Sequence, residues 1–242
     1  MRTELHYGSL DSTLAEYARL ETAGAAGTGL VIRADTQTAG KGRNGNLWQS
    51  PNGGLWLTFD LYHPSRVPSF ALYVGFCLHS LLLRLFALPD LKIKWPNDIY
   101  LGDAKLAGIL CESREINSRY VIGIGINTNV IKHEVSLPIP IAILSVCLGV
   151  TVSNATLAVL LVQTVRKQAT LLDSPPVYID YCNSCLYGRD SWAELENCGQ
   201  MISGTIAGIA SDGSLVLRAE SGEERLAVSG SLHIPTLERA FT

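Results

Sequence analysis

The chain has 242 residues, enough for one large domain and a smaller one, since domains usually run to roughly 100–200 residues. Hydrophobic residues make up 47% and charged residues 17%, so there is material for a packed core and no case for disorder. The formal net charge of −3 argues against a chain built to coat nucleic acid, while leaving room for a local basic site.

The first residues lack the apolar run of a signal peptide. Leu10-Asp11-Ser12-Thr13 predicts a helix start, with Asp11 or Ser12 able to cap. Glycine-rich residues 24–29 lead into a short apolar strand over 30–34. Residues 35–54 are polar and rich in glycine and read as a long loop, a kind of segment that is usually functional or disordered. Residues 55–62 alternate, with Leu55, Leu57, Phe59 and Leu61 on one face and Trp56, Thr58, Asp60 and Tyr62 on the other, which predicts a strand. A helix follows near 69–87. Its apolar run approaches membrane-spanning length, but it holds His79 and Arg84 and lies between Pro68 and Pro89, so it reads as a buried helix rather than a ~20-residue span. Residues 91–95 alternate, Pro96-Asn97-Asp98 breaks the pattern, and 99–101 resume it. Gly102-Asp103 predicts a turn, with strands over 105–112 and 120–127. Residues 155–172 read as helical, and Pro175-Pro176 precedes a further helical patch.

From about Ser191 the pattern changes to short strands with tight turns at Ser211-Asp212-Gly213 and Ser221-Gly222-Glu223. Residues 191–242 therefore read as a small all-β module, a barrel. Residues 1–190 read as an α+β domain with a mixed or antiparallel sheet, because hairpin-scale connections outnumber strand–helix–strand crossovers.

Of six cysteines, Cys77, Cys111 and Cys147 sit in apolar runs, where the thiol behaves as a small hydrophobe. Cys182-Asn-Ser-Cys185 is the sole C-x-x-C, and Cys198 stands apart. No second pair or spaced histidines complete a zinc set, so plain thiols in a reducing cytoplasm are expected.

Three segments carry chemistry. In Gln37-Thr-Ala-Gly40-Lys41-Gly42-Arg43-Asn-Gly45-Asn46-Leu-Trp48, alternate glycines let backbone approach a ligand, and successive N–H groups can form an anion nest beside Lys41 and Arg43. Phosphate or carboxylate recognition is one reading; a flexible surface loop with incidental basic residues is the other. The segment does not match G-x-x-x-x-G-K-S/T, which excludes an ordinary P-loop. In Lys94-Trp95-Pro96-Asn97-Asp98 and Lys105-Leu106-Ala107-Gly108, a carboxylate past a broken strand and a lysine opening the next can face one site, or form a solvated hairpin. In Val121-Ile-Gly123-Ile-Gly125-Ile-Asn127, period two places Gly123, Gly125 and Asn127 on one face. Either a flat ligand with Asn127 at its edge or a closely packed helix lies there.

Together these segments resemble one family, the biotin protein ligases. Residues 37–48 resemble its Q-x-A-G-R-G-R-x-G-R-x-W pattern. Lys94 to Asp98 and Lys105 to Gly108 match K-W-P-N-D and K-L-A-G in the same order. Residues 121–127 match G-x-G-I-N, and Asp11-Ser12-Thr13 the S-T start. The likeness spans almost the whole chain, and the loop with Arg43 and Trp48 separates it from lipoate ligases. Rival readings are a lipoate or octanoyl ligase of the same fold and a non-catalytic biotin-binding regulator.

The resemblance implies a class II synthetase-like α+β fold with a C-terminal SH3-like barrel. It implies that Ser12, Thr13 and Gln37 bond the ureido end of biotin, that residues Gly40, Lys41, Gly42 and Arg43 fold over biotin and the phosphate, and that Gly108 and Gly123 lie against biotin. Trp48 would stack beside adenine, with Asn97, Gly125 and Asn127 also on the nucleotide side. Lys105 would contact the biotin carboxylate and the α-phosphate, Arg43 and Lys105 would stabilise phosphoryl charge, and Asp98 would accept a proton from the carrier lysine. ATP and biotin are then substrates, and Mg2+ accompanies the nucleotide without an assigned protein ligand. The expected partner is a biotin carboxyl carrier domain, as in acetyl-CoA carboxylase; a homodimer is expected by analogy, with no DNA and no membrane. The catalytic pattern begins within a dozen residues of the start, which argues against a preceding helix-turn-helix. The β module would assist ATP or carrier binding, or simply cap the structure. Leu14 replaces a common asparagine, Lys41 an arginine and Asn46 another. Lys41 keeps charge but loses a bidentate fork, so lid geometry and leakage of the adenylate are where this chain would differ.

Overall fold

The computed structural model describes residues 4–26, 29–114, 118–129, 140–197 and 199–238. The Cys198 thiol considered above lies outside them. The order of elements is β1 (Glu4–Leu10), α1 (Thr13–Thr22), β2 (Val31–Gln37), β3 (Leu55–Tyr62), α2 (Phe70–Phe86), β4 (Leu91–Lys94), β5 (Asp98–Leu101), β6 (Ala104–Arg114), β7 (Arg119–Ile126), α3 (Leu144–Leu148), α4 (Asn154–Lys167), α5 (Pro175–Ser184), β8 (Trp192–Asn197), β9 (Gln200–Ile209), β10 (Leu215–Arg218), β11 (Glu224–Ala227), β12 (Ser231–His233) and α6 (Pro235–Glu238). The fold is α+β, with a mixed sheet flanked by helices and a second, antiparallel sheet.

The chain divides into two compact units. The first comprises Met1–Arg66 and Leu106–Ala169. Its strands run β1-β2-β3-β7-β6, parallel between β1 and β2 and antiparallel elsewhere. The β1 strand was not foreseen from sequence, because its exposed-intermediate alternation carries few apolar residues. The β3 strand lies where alternation placed it, and both its faces are buried: every residue from Leu55 to Leu61 is buried, including Thr58 and Asp60. Helix α1 packs against β2, β3 and β7, and α4 against β3. Leu14 and Tyr17 of α1 join Leu30, Ile32 and Val121 in a buried cluster. A charged network pins the same helix. Asp60, 4% exposed, accepts from Tyr17 Oη (3.3 Å), the Gly29 amide (3.2 Å) and Arg166 Nη2 (3.2 Å), with Arg119 Nε at 3.6 Å. Burial and the Asp60 charge push the Tyr17 hydroxyl up to about 12.

The second unit comprises Val67–Lys105 and Thr170–Thr242. Helix α2 buries Leu72, Tyr73, Leu78, Leu81 and Leu82 and packs on β4, β5 and α5. Among the described residues, no helix is long and apolar enough to cross a membrane. The antiparallel sheet runs β11-β10-β9-β8-β12. Cys182 of α5 points its thiol at the Leu72 carbonyl, and burial raises its pKa; burial pushes Cys185 up to about 11. Both are therefore poor nucleophiles at neutral pH.

Candidate active site

In the first unit, the polar segment after β2 is not a loop but a folded hairpin. Gln37 N–H bonds the Ser50 carbonyl (3.0 Å), Trp48 N–H the Gly40 carbonyl (2.9 Å) and Gly42 N–H the Asn46 carbonyl (2.7 Å). Lys41 and Leu47 form a bridge between the two arms. The tip is a single 3-10 turn over Arg43–Gly45, with Asn44 at φ 55, a left-handed conformation that asparagine tolerates well. Asn46, one of the departures from the family pattern, closes this tip through its backbone: its N–H bonds the Arg43 carbonyl at 3.0 Å. Arg43 is half-buried at the tip and Lys41 is exposed.

The start of α1 meets the base of the hairpin. Ser12 takes the N-cap position but makes no capping bond, which corrects the expectation that it or Asp11 would cap the helix. Asp11 Oδ1 instead accepts the Ser12 amide at 2.7 Å, and Gln37 Oε1, from β2, accepts the Thr13 amide at 2.8 Å. Two of the helix's orphan donors are thus satisfied from outside. Ser12 and Thr13 are 2% and 3% exposed, and Thr13 Oγ1 donates to Gln37 Oε1 at 3.1 Å. Arg19 grips Asp11 with two bonds of 2.8 and 2.9 Å. That guanidinium holds the Asp11 carboxyl well below the usual carboxylate range.

The glycine face of β7 is occupied by two side chains. A Cβ on Gly123 would run into Leu14, so the packed helix is what covers that position. A Cβ on Gly125, or on its cross-strand partner Gly108, would run into the Trp48 indole. Trp48 thus lies over a two-glycine floor, edge-on to Trp56 with ring centroids 6.5 Å apart. Asn127, 5% exposed, follows at the strand end, its amide bonded to the Leu106 carbonyl at 2.9 Å. Beyond it, Thr128, Asn129 and Asn154 all bond the Gly53 carbonyl, at 2.8, 3.1 and 3.2 Å. They fasten the chain where the hairpin re-enters β3. None of these three stood out in sequence: Thr128 and Asn129 are isolated polar residues after a strand, and Asn154 is one at the start of α4.

In the second unit, β4 and β5 form the hairpin expected from alternation, with Lys94 opposite Asp98. Lys94 is not solvated: it is 9% exposed and its ammonium lies 5.1 Å from the Tyr100 ring centre and 5.8 Å from that of Tyr187. Lys105 Nζ and Asp98 Oδ2 form an ion pair of 2.6 Å, with both side chains under a fifth exposed. Asp98 Oδ1 is buried and bonds nothing among the described residues. Asn97 stands beside Asp98, partly buried. Trp95, 2% exposed, donates its indole N–H to the Gly213 carbonyl at 2.9 Å. Gly213 has φ +91 and sits so close to Ser69 that a Cβ would clash, so this turn admits only glycine. The β module thereby holds the strand end that carries Asp98.

A model of the biotin/lipoate A/B protein ligase family matches residues 9–129, half of the chain. The chain belongs to that family. Within the biotin/lipoate A/B protein ligases, biotin–protein ligase 2 of Arabidopsis thaliana is 31% identical over 126 residues, 49% of this chain and 38% of that protein. The bifunctional ligase/repressor BirA of Escherichia coli (strain K12) is 33% identical over 161 residues, 64% of this chain and 50% of that protein. The chain therefore spans half or less of the length of these curated relatives. The solved biotin protein ligase from Aquifex aeolicus, in complex with biotin and ATP, superposes with a TM-score of 0.83 at 24% identity, covering 97% of this chain and all of the other. At that identity the likeness is one of fold.

Proposed function

We propose that the chain activates biotin with ATP and transfers it to a lysine of a biotin carboxyl carrier domain, such as that of acetyl-CoA carboxylase. The observation that carries this reading is the closed corner of Ser12, Thr13 and Gln37 at the root of a hairpin that lays Trp48 on the Gly108–Gly125 floor. A small polar ring and a flat base are what such a corner and such a platform suit. The relative named biotin–protein ligase 2, and the similar fold solved with biotin and ATP, favour the same substrates.

In this reading Ser12, Thr13 and Gln37 bind the ureido group, Gly40, Lys41, Gly42 and Arg43 cover biotin and phosphate, and Gly108 and Gly123 serve the biotin side from beneath the side chains that cover them, Trp48 and Leu14. Trp48, Asn97, Gly125 and Asn127 serve the nucleotide. The biotin carboxylate attacks the α-phosphorus; a carboxylate–phosphorus bond forms and the bond to pyrophosphate breaks. Negative charge gathers on the phosphoryl oxygens, where Arg43 and Lys105 stabilise it. The carrier lysine, ordinarily protonated with pKa about 10.4, must lose a proton to attack the acyl carbon and expel AMP. Asp98 orients that amine and accepts its proton. The ion pair of Asp98 with Lys105 links the two steps: when an anion draws Lys105 away, the carboxylate is released.

Among the described residues, no group of three or more histidine, cysteine, aspartate or glutamate side chains could hold a metal ion. Magnesium typically enters such sites on substrate phosphates, and Mg2+ is taken as part of the nucleotide substrate. The reading places catalysis in residues 1–190, with 191–242 as the smaller module, and extends to a cytoplasmic homodimer. A net charge of −3 gives no reason to add DNA as a partner.

Biotin-dependent exchange of pyrophosphate into ATP tests the reading. Exchange with biotin and none with lipoate is expected. Exchange with lipoate alone would move the chain to the lipoate side of its family, and biotin binding without exchange would make it a regulator.

A further inference from the structure

A single chain of hydrogen bonds runs through the first unit from the sheet to the hairpin. Thr58 on β3, fully buried, reaches Thr13 Oγ1 at 2.8 Å. Thr13 Oγ1 reaches Gln37 Oε1 at 3.1 Å, Gln37 Nε2 reaches Ser50 Oγ at 2.7 Å, and Ser50 Oγ reaches the Trp48 carbonyl at 3.1 Å. Two backbone groups set its direction. The Thr13 amide can only donate, so the Gln37 atom it meets is the carbonyl oxygen, and the amide orientation is fixed. The Trp48 carbonyl can only accept, so the Ser50 hydroxyl donates there and must accept from Gln37. Thr13 in turn donates to Gln37 and accepts from Thr58. Every donor points the same way, an arrangement in which each bond polarises the next.

Gly40 shows how tightly the chain is drawn. A Cβ there would fall within 3.0 Å of the Trp48 carbonyl oxygen, Ser50 Oγ and Gln37 Nε2 together. The chain therefore closes over bare backbone, and no side chain can enter between its members.

We infer that Thr58 and Ser50 are positioning residues for the polar-ring subsite: Thr58 fixes the hydroxyl of Thr13, and Ser50 fixes the amide of Gln37 and ties it to the backbone of Trp48. Neither residue was singled out by the sequence patterns. Thr58 lies inside an apolar strand and Ser50 just past the glycine-rich motif. The same bonds tie Thr13 and Gln37 to the backbone of the platform residue Trp48. Assigning the ring to biotin rests on the function proposed above; the hydrogen-bond chain does not.

The test uses the full chain with Thr58→Val, Thr58→Ser and Ser50→Ala. Thr58→Val keeps the shape of the residue and removes the donor; Thr58→Ser restores it. The first readout, free of any ligand, is hydrogen exchange at the backbone amides of residues 40–48. Faster exchange is expected in Ser50→Ala and Thr58→Val and wild-type exchange in Thr58→Ser, with melting temperatures recorded alongside. The second is biotin-dependent pyrophosphate exchange. Thr58→Val is expected to raise the KM for biotin about tenfold, the worth of one net hydrogen bond, with kcat within about twofold and Thr58→Ser near wild type. Wild-type exchange at residues 40–48 in both Thr58→Val and Ser50→Ala would overturn the inference. Altered hairpin exchange in a chain that shows no activity with biotin would leave the positioning roles standing and remove the proposed function.

Discussion

The candidate-site residues of the two units hold their polar groups in opposite ways. In the first, neutral side chains are bonded end to end from Thr58 to the Trp48 carbonyl, and each is oriented by its neighbour. In the second, Asp98 and Lys105 are bonded to each other at 2.6 Å, and one carboxylate oxygen is left without a partner among the described residues. A neutral directional chain defines shape at little electrostatic cost. A half-satisfied ion pair stores charge that an incoming anion can redirect. Recognition suits the first arrangement and chemistry the second.

Lys105→Ala should break this contrast most severely. A single donor aimed at developing phosphoryl charge is worth up to roughly 1,000-fold in rate, and pyrophosphate exchange measures it. If Lys105 served only to neutralise Asp98, the double variant Lys105→Ala/Asp98→Ala would regain exchange; continued inactivity is the expected result. Asp98→Ala should leave exchange largely intact and slow transfer to a carrier domain by roughly 100-fold, the usual scale of a lost general base. Equal loss in both steps would show that the carboxylate acts before the adenylate forms.

Gly40→Ala probes the neutral side. Forcing a methyl into a close-packed site costs about 1–3 kcal/mol, read as a lower urea midpoint, with the KM for biotin raised more than kcat falls. The smallest effect concerns His79, 1% exposed on α2. Its Nε2 is 3.0 Å from the Leu91 carbonyl, which can only accept, so Nε2 carries the proton and Nδ1 accepts from Tyr181 Oη at 2.9 Å. Burial lowers its pKa, against the Leu91 bond and with help from Lys92. The unfolded chain therefore takes up the proton first. Stability should be level above the unfolded value of about 6.5 and fall as pH drops below it. Urea titrations at pH 7.5 and 5.5 check this, and His79→Gln should flatten the dependence.

Much of the architecture was legible in the sequence. Alternation gave β3 and the β4–β5 hairpin, apolar length gave α2, and turn residues marked the C-terminal strands. Five ordered motifs picked out Gln37, Arg43, Trp48, Asp98, Lys105 and Asn127. What escaped depends on contacts distant in sequence. The segment before β3 looked like a loop, because the bonds that fold it into a hairpin are made by backbone rather than by side-chain type. Alternation placed Thr58 and Asp60 on the second face of β3 but did not report that this face is buried too.

By itself, the sequence determined the periodicities, the breaks and the residue types that chemistry requires, since these are properties of near neighbours along the chain. Only the tertiary structure decided that Leu14 and Trp48 cover the glycine face, that Gln37 caps a helix from a strand, and that Gly213 lies against Trp95. Each of these joins residues between 24 and 118 positions apart. A hydrogen bond or a close packing contact depends on positions to within a fraction of an ångström, which local patterns along the chain do not specify.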